Sequence, residues 1–226
     1  MPEIVALIPA GGAGVRLGRR TPKQFLPLGD RPIITATVRH FTAHPSTTAV
    51  VVAAPAAHVG RATRLLRPLG RRVRLIVVAG GETRQESVWR ALQAAPANAD
   101  IVVVHDAVRP FITRGLIDAV VTAAHTHGAA ICGLPIAETV KRVSGDVVEA
   151  TIDRAGLWAV QTPQAFRLAL LREAHEKAVR DGLAGTDDAM LVERLGHRVH
   201  VVPGLPANIK ITTADDLRRA RAWTHG

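Results

Sequence analysis

Five apolar runs of strand length restrict most strongly what this chain can fold into: Ile4 to Ile8, Ala49 to Ala53, Leu75 to Val78, Ile101 to Val104 and Ala129 to Gly133. None alternates apolar with polar residues, so each run expects burial on both faces, as in a parallel sheet covered by helices on its two sides. Helix-like stretches lie between them, over Pro32 to Phe41, Ala56 to Leu69, Thr83 to Ala95 and Thr113 to His127. Their lengths suit right-handed crossovers, and the alternation specifies an α/β fold with a mostly parallel sheet. Thr83, followed three residues later by Glu86, predicts a capping box.

The pattern changes after Pro135. Thr139 to Val143 and Val147 to Ile152 flank the turn-forming Ser144-Gly145-Asp146, which predicts a β-hairpin. Its strands are rich in polar and charged residues, so residues 137–155 are expected to project from the sheet as an arm. Leu168 to Arg180 and Asp187 to Leu195 then read as helices, and His197 to Val202 and Ile209 to Ile211 as strands. Thr213 to Trp223 reads as a closing helix capped by Thr213. With no repeat, low-complexity tract or linker in 226 residues, the expectation is one domain over 1–226.

Charge invites a nucleic-acid reading, since 29 Lys and Arg against 19 Asp and Glu leave +10. The basic residues are scattered, many of them in Arg-rich helical stretches such as Arg61 to Arg74. Four Phe, three Trp and no Tyr are too few aromatics for a base-stacking groove. No nucleic-acid partner is expected. The single cysteine, Cys132, excludes an intrachain disulfide framework and a cysteine-cluster zinc site, and suits a reducing compartment. No apolar run reaches the roughly 18 residues needed to span a bilayer, and the N-terminus opens on a strand-like segment instead of a signal peptide. No membrane association and a cytoplasmic location are therefore expected.

Chemistry gathers at strand ends. The first strand runs into Pro9-Ala10-Gly11-Gly12-Ala13-Gly14-Val15-Arg16-Leu17-Gly18, at the edge where open α/β sheets bind ligands. It is neither a dinucleotide fingerprint, because Leu17 replaces the third glycine, nor a P-loop. Taken alone it is equally an ordinary tight turn, but Arg16 and the following Pro22-Lys23-Gln24 bring two cations to one strand end, as a polyphosphate requires. Val104-His105-Asp106-Ala107-Val108-Arg109-Pro110 ends the fourth run; Asp106 there suits Mg²⁺, or else a surface pair with arginine. Gly80-Gly81-Glu82-Thr83-Arg84-Gln85-Glu86-Ser87 opens a helix and leaves Gly81, Arg84 and Ser87 for a ligand. Lys210, flanked by isoleucines, is either a snorkelling strand-end side chain or a desolvated lysine facing an anion. Thr186-Asp187-Asp188 is most simply an N-cap. No Gly-x-Ser-x-Gly elbow or Cys–His arrangement offers a hydrolytic nucleophile.

Together, the Pro-Ala-Gly-Gly-x-Gly-x-Arg loop, Pro22-Lys23-Gln24, Gly80-Gly81-x-x-Arg84-x-x-Ser87-Val88, His105-Asp-Ala-x-Arg-Pro110, Asp153-Arg154-x-x-Leu157-Trp158, Gln161-Thr-Pro-Gln-x-Phe166, Thr186-Asp187 and Asn208-Ile-Lys-Ile-Thr212 resemble the 2-C-methyl-D-erythritol 4-phosphate cytidylyltransferase family. The resemblance runs through the chain in order. It implies a single Rossmann-like nucleotidyltransferase domain and CMP transfer from CTP to 2-C-methyl-D-erythritol 4-phosphate, with Mg²⁺ on Asp106. It assigns Arg16, Lys23, Arg154 and Lys210 to catalysis. Ala10, Gly11, Gly12, Ala13, Gly14, Gly81, Arg84, Ser87, Asp106 and Ala107 fall to the nucleotide. Asp106, Arg109, Thr139, Arg154, Thr162, Thr186 and Lys210 fall to the acceptor. It also implies a homodimer joined through the arm, with Arg154 and Thr186 entering the neighbouring subunit's site. Two departures stand out: Val108 where the family usually has Ala, and Glu138 where it usually has Asp. The chain ends soon after its last helix, so no fused second enzyme is expected. The alternatives are a nucleotidyltransferase for another acceptor phosphate, and a non-catalytic basic protein binding nucleotides or nucleic acid.

Overall fold

A computed structural model of the chain describes residues 2–11 and 21–224. The expectations for Gly12, Ala13, Gly14 and Arg16 lie outside the described residues. The elements run β1 (Ile4–Pro9), β2 (Pro27–Leu28), β3 (Arg31–Pro32), α1 (Ile33–Thr42), β4 (Thr47–Ala54), α2 (Val59–Leu66), β5 (Arg74–Ala79), α3 (Arg84–Gln93) and β6 (Ile101–Val104). They continue with α4 (Arg114–His127), β7 (Ala129–Pro135), β8 (Val140–Ser144), β9 (Val147–Ile152), β10 (Trp158–Arg167), α5 (Leu168–Arg180), α6 (Asp188–Glu193), β11 (His200–Pro203) and α7 (Ala214–Ala222).

All five apolar runs are strands of one seven-stranded sheet, ordered β11-β7-β10-β6-β1-β4-β5. Every pairing in it is parallel except those of β10, which runs antiparallel to β6 and β7. The pleat explains the continuous apolarity. Ile4, Ala6, Ile8, Val50, Val52 and Val103 pack under α1, α2 and α4, while Val5, Leu7, Val51, Val102 and Val104 pack under α3, α5 and α6. The predicted hairpin is β8 and β9, a two-stranded sheet of its own with mostly exposed residues. Thr213 and Asp216 form a reciprocal capping box that starts α7.

Four expectations need correction. β10 has no counterpart among the predicted strands, because Gln161, Thr162 and Gln164 break its apolar pattern; they are buried all the same, and each hydrogen-bonds within the chain. Residues 209–211 are not a strand. Ile211 donates its N–H to the Val108 carbonyl at 2.9 Å, and its side chain fills a small apolar cluster with Leu26, Ile33, Val108 and Leu217. The predicted Ala56 to Leu69 helix is α2 between two 3-10 turns, since Pro68 follows its last turn. At α3, Thr83 accepts the Glu86 N–H as a cap should, but the Glu86 carboxylate takes the Glu82 N–H at 2.7 Å, so the predicted box is only half formed.

Phe166, on β10, is fully buried in the core beneath α5. Phe166→Ala is expected to cost about 3–5 kcal/mol of unfolding free energy. Urea denaturation checks this, and an unmoved midpoint contradicts the placement of β10 at the centre of the sheet.

Candidate active site

Because β1, β5 and β6 are parallel, their carboxyl ends open on one edge, and the loops that follow them converge there. A hollow of about 230 Å³ is lined by Ala10 and Gly11 after β1, Lys23 and Gln24, Glu82 to Arg84 and Ser87, Asp106 to Val108 after β6, and Lys210. The glycines are needed for closeness. A Cβ on Gly11 would lie 2.6 Å from the Ser87 Oγ, and one on Gly81 would collide with the Glu86 side chain. Ser87, itself buried, accepts the Gly81 N–H and donates to the Thr83 carbonyl, so one hydroxyl braces the second glycine loop from within. Gln24 ties the Lys23 turn to β1 by donating to the Ala10 carbonyl at 2.5 Å.

An adjoining hollow of about 320 Å³ is lined by Arg109, Gln161, Thr162, Gln164, Thr186 and Asp187. Arg84, Asp106 and Lys210 line both hollows and form the wall between them. The buried Asp106 carboxylate organises that wall. Oδ1 accepts from Arg84 Nε at 3.1 Å, while Oδ2 meets Lys210 Nζ at 2.8 Å and Arg109 Nε at 3.7 Å. Burial alone pushes its pKa up and is the largest single influence. The combined pull of Arg84, Lys210 and Arg109 reverses it and holds Asp106 well below the usual carboxylate range. The magnitudes agree: a charge pair near 4 Å is worth about 4 kcal/mol at an effective dielectric of 20, so three pairs exceed a desolvation cost of several kcal/mol, even with half-exposed Lys210 screened and discounted.

The loop that carries Asp106 is held from beneath. His105 Nε2 bonds to the Arg109 carbonyl, which can only accept, so Nε2 bears the proton and Nδ1 accepts from the Thr162 hydroxyl. Thr162 in turn accepts the Asp106 N–H at 3.0 Å. Complete burial drives His105 down from 6.5 to about 4. It is a neutral strut at physiological pH. On the side of the second hollow, Arg109 Nη1 donates to the Asn208 carbonyl, and the Asn208 amide donates to the Thr162 carbonyl. These contacts stitch residues 208–211 along the His105–Pro110 loop and deliver Lys210 to Asp106. Val108 is buried in the small cluster with Ile211 and Leu217, which is where its additional methyl groups are accommodated.

Of the residues singled out from sequence, Ala10, Gly11, Lys23, Arg84, Ser87, Asp106, Ala107 and Lys210 share the first hollow, with Gly81 bonded to Ser87 behind it. Arg109, Thr162 and Thr186 share the second. Thr186 lines that hollow within its own chain. Thr139 and Arg154 are exposed and line neither hollow; the Arg154 guanidinium donates to the Ala137 carbonyl at the foot of the arm. Sequence reasoning missed Gln24, Asn208, Asp188 and His175. The first three lie inside motifs already quoted. His175 stands in a helix with no flanking signal.

Two glycine-walled loops at one sheet edge, with cations on both sides of a single carboxylate, are what two phosphate-bearing substrates require, and with this sheet they define a nucleotidyltransferase. The family model of 2-C-methyl-D-erythritol 4-phosphate cytidylyltransferase matches residues 4–225, and the chain belongs to that family. It is 45% identical to the enzyme of that name from Syntrophotalea carbinolica, over 98% of this chain and 96% of that one. It resembles the crystal structure of the Thermus thermophilus enzyme with a TM-score of 0.83 at 38% identity, covering 98% of each chain. The Anaerococcus prevotii 4-diphosphocytidyl-2C-methyl-D-erythritol synthase superimposes with a TM-score of 0.86 at 27% identity, covering 100% of this chain and 99% of that one.

The buried neutral state of His105 has a measurable consequence. Its folded pKa lies below its unfolded one, so its contribution is complete above about 6.5 and is lost as pH falls toward about 4. Between pH 7.5 and 4.5 the wild type is expected to lose about 2–3 kcal/mol more than a His105→Gln variant, read from urea midpoints at the two pH values. Parallel pH profiles contradict the assignment.

Proposed function

We propose that this chain transfers CMP from CTP to 2-C-methyl-D-erythritol 4-phosphate, releasing pyrophosphate and forming 4-diphosphocytidyl-2-C-methyl-D-erythritol. An acceptor phosphate oxygen attacks the α-phosphorus in line, the new P–O bond forms as the bond to the β-phosphate bridge breaks, and pyrophosphate leaves with the electron pair. The observation that carries this assignment is the shared wall: one ammonium, Lys210, faces both the hollow assigned to the triphosphate and the hollow assigned to the acceptor.

A phosphate monoester is largely dianionic at neutral pH, so the attacking oxygen needs no general base. The barrier is repulsion between two polyanions and charge on the five-coordinate phosphorus, which positioned cations relieve. Lys23, and Arg16 from the glycine loop, would hold the triphosphate and stabilise that charge. Backbone groups of Ala10, Gly11, Gly12, Ala13 and Gly14, with Gly81, Ser87 and Ala107, would seat the nucleotide. Lys210, Arg109, Thr162 and Thr186 would orient the acceptor phosphate. Among the described residues no three His, Cys, Asp or Glu side chains come together as a protein-only metal cage. Asp106 is the carboxylate common to both hollows, which fits Mg²⁺, an ion that takes one or two carboxylates and fills its shell with phosphate oxygens and water. Asp106 would hold it, and when bound it would supply charge neutralisation on the phosphates.

The arm is assigned to a homodimer. Val143 and its cross-strand partner Val148 are 53% and 56% exposed on one face of the hairpin, an apolar patch that a second copy would cover. Such a contact would also give Arg154 and Thr139 a site to serve in the partner. No helix among the described residues is long and apolar enough to cross a membrane. A cytoplasmic location and the absence of a nucleic-acid partner remain part of this proposal.

Pyrophosphate release with CTP, the acceptor and Mg²⁺ is expected, with ATP, GTP and UTP as poor donors; equal use of all four rejects the cytidylyl assignment. Lys23→Ala is expected to lower kcat about 10²–10³-fold with little loss of stability, and Lys210→Gln to spare CTP binding while weakening use of the acceptor. Mixing Lys23→Ala with Arg154→Ala subunits tests the arm. If Arg154 serves the partner, random exchange restores about a quarter of the sites in a two-fold dimer. Verified exchange without recovery shows that Arg154 acts in its own chain.

A further inference from the structure

His175 on α5 and Asp188 on α6 have no task in the chemistry above. They line neither hollow, and both are buried, at 0% and 1% exposure. Asp188 Oδ2 accepts from Arg84 Nη1 at 2.7 Å, and its Oδ1 accepts from His175 Nε2 at 3.0 Å. The His175 ring stacks on Trp89 of α3, with centroids 5.9 Å apart and planes 7° apart. Burying a carboxylate costs several kcal/mol, and an apolar pair of similar volume stabilises a core as well or better, so this network is poorly explained as a source of stability.

Its far end does explain it. The Arg84 guanidinium bridges Asp188 behind and Asp106 in front, so a continuous chain runs from His175 through Asp188, Arg84 and Asp106 to Lys210. Arg84 Nη2 is buried with no hydrogen-bond partner among the described residues, which leaves a donor beyond the two carboxylates. The anchor itself is fixed independently. Gln164 donates to the Asp187 carboxylate at 2.7 Å, and Gln85 accepts the Gly185 N–H at 2.7 Å, so the start of α6 is fastened to β10 and α3.

Resting on the functional reading above, we propose that Asp188 and His175 are positioning residues that hold Arg84 from behind and so set the wall between the triphosphate and acceptor hollows. Neither touches substrate. Their effect falls on the relative placement of the two phosphates, where an error of about 1 Å costs about 10²-fold in rate. Because each hollow keeps its own cations, affinity for each substrate separately changes little. Kinetics and structure therefore give distinct signatures. Asp188→Asn keeps the shape and removes the charge, and His175→Phe keeps the stack on Trp89 and removes the N–H.

Each variant is expected to lower kcat about 10–100-fold while KM for CTP and for the acceptor stays within about threefold. The double variant should be no worse than Asp188→Asn alone, because both act through one guanidinium. A folded Asp188→Asn or His175→Phe with kcat within about twofold of wild type overturns the proposal, as does additivity of the two losses. Should Asp188→Asn not fold, His175→Phe alone decides. A crystal structure of the variant supplies a readout independent of activity: loss of the Arg84–Asp106 contact supports the buttress, and its retention overturns it. Wild-type protein that releases no pyrophosphate from CTP contradicts the functional assignment alone, and the structural readout still decides the buttress.

Discussion

A single buried carboxylate, Asp106, fixes the positions of three cations drawn from three separate parts of the chain: Arg84 at the start of α3, Arg109 farther along the loop that carries Asp106 itself, and Lys210 from the segment before α7. The rest of the site follows from that neutralisation. Three unpaired cations side by side would repel one another and splay outward, and an unpaired buried Asp106 would take up a proton. Held together they form a rigid wall carrying net positive charge, which suits anionic substrates on both its faces. The wall is in turn built on backbone geometry: parallel strands bring their carboxyl ends to one edge, and neutral His105 with Thr162 pins the loop between them.

The same constraint orders the energetics. Core strands bury side chains almost completely under helices on both faces, which supplies stability without polar groups. Many of the buried polar groups concentrate around the site: Gln24, Ser87, His105, Asp106, Arg109, Gln161, Thr162, Gln164, Asp188 and Asn208. Most of them find partners in one another or in nearby backbone, so the cost of burial is offset where geometry matters for chemistry.

Much of this was legible in the sequence. Continuous apolar runs of this length, bounded by turn residues, suit strands covered on both sides, so five strands and the parallel class followed from β1, β4, β5, β6 and β7. The loops after β1 and β5 were legible because small residues at a strand exit allow close approach of backbone to an anion, and the loop after β6 because an acid and a base follow its apolar run. What stayed hidden was polar and buried at once. β10 looked unlike a strand because its buried Gln161, Thr162 and Gln164 serve the site, and residues 209–211 looked like a strand although Ile211 serves a side cluster and Lys210 the wall. Asp188 was concealed by its neighbour, since Asp187 accounts for the cap of α6 and nothing in the string signals that the next carboxylate reaches Arg84. Pairing across more than 100 residues leaves no local mark.

The organisation of the wall depends on the ionisation of Asp106, and carbon-13 NMR of the labelled side-chain carboxylate measures it directly. With Arg84, Lys210 and Arg109 gathered on it, Asp106 is predicted to stay ionised down to the pH at which the fold is lost. A titration midpoint near the ordinary value of about 4 in the folded protein would contradict the claim that this carboxylate organises the wall.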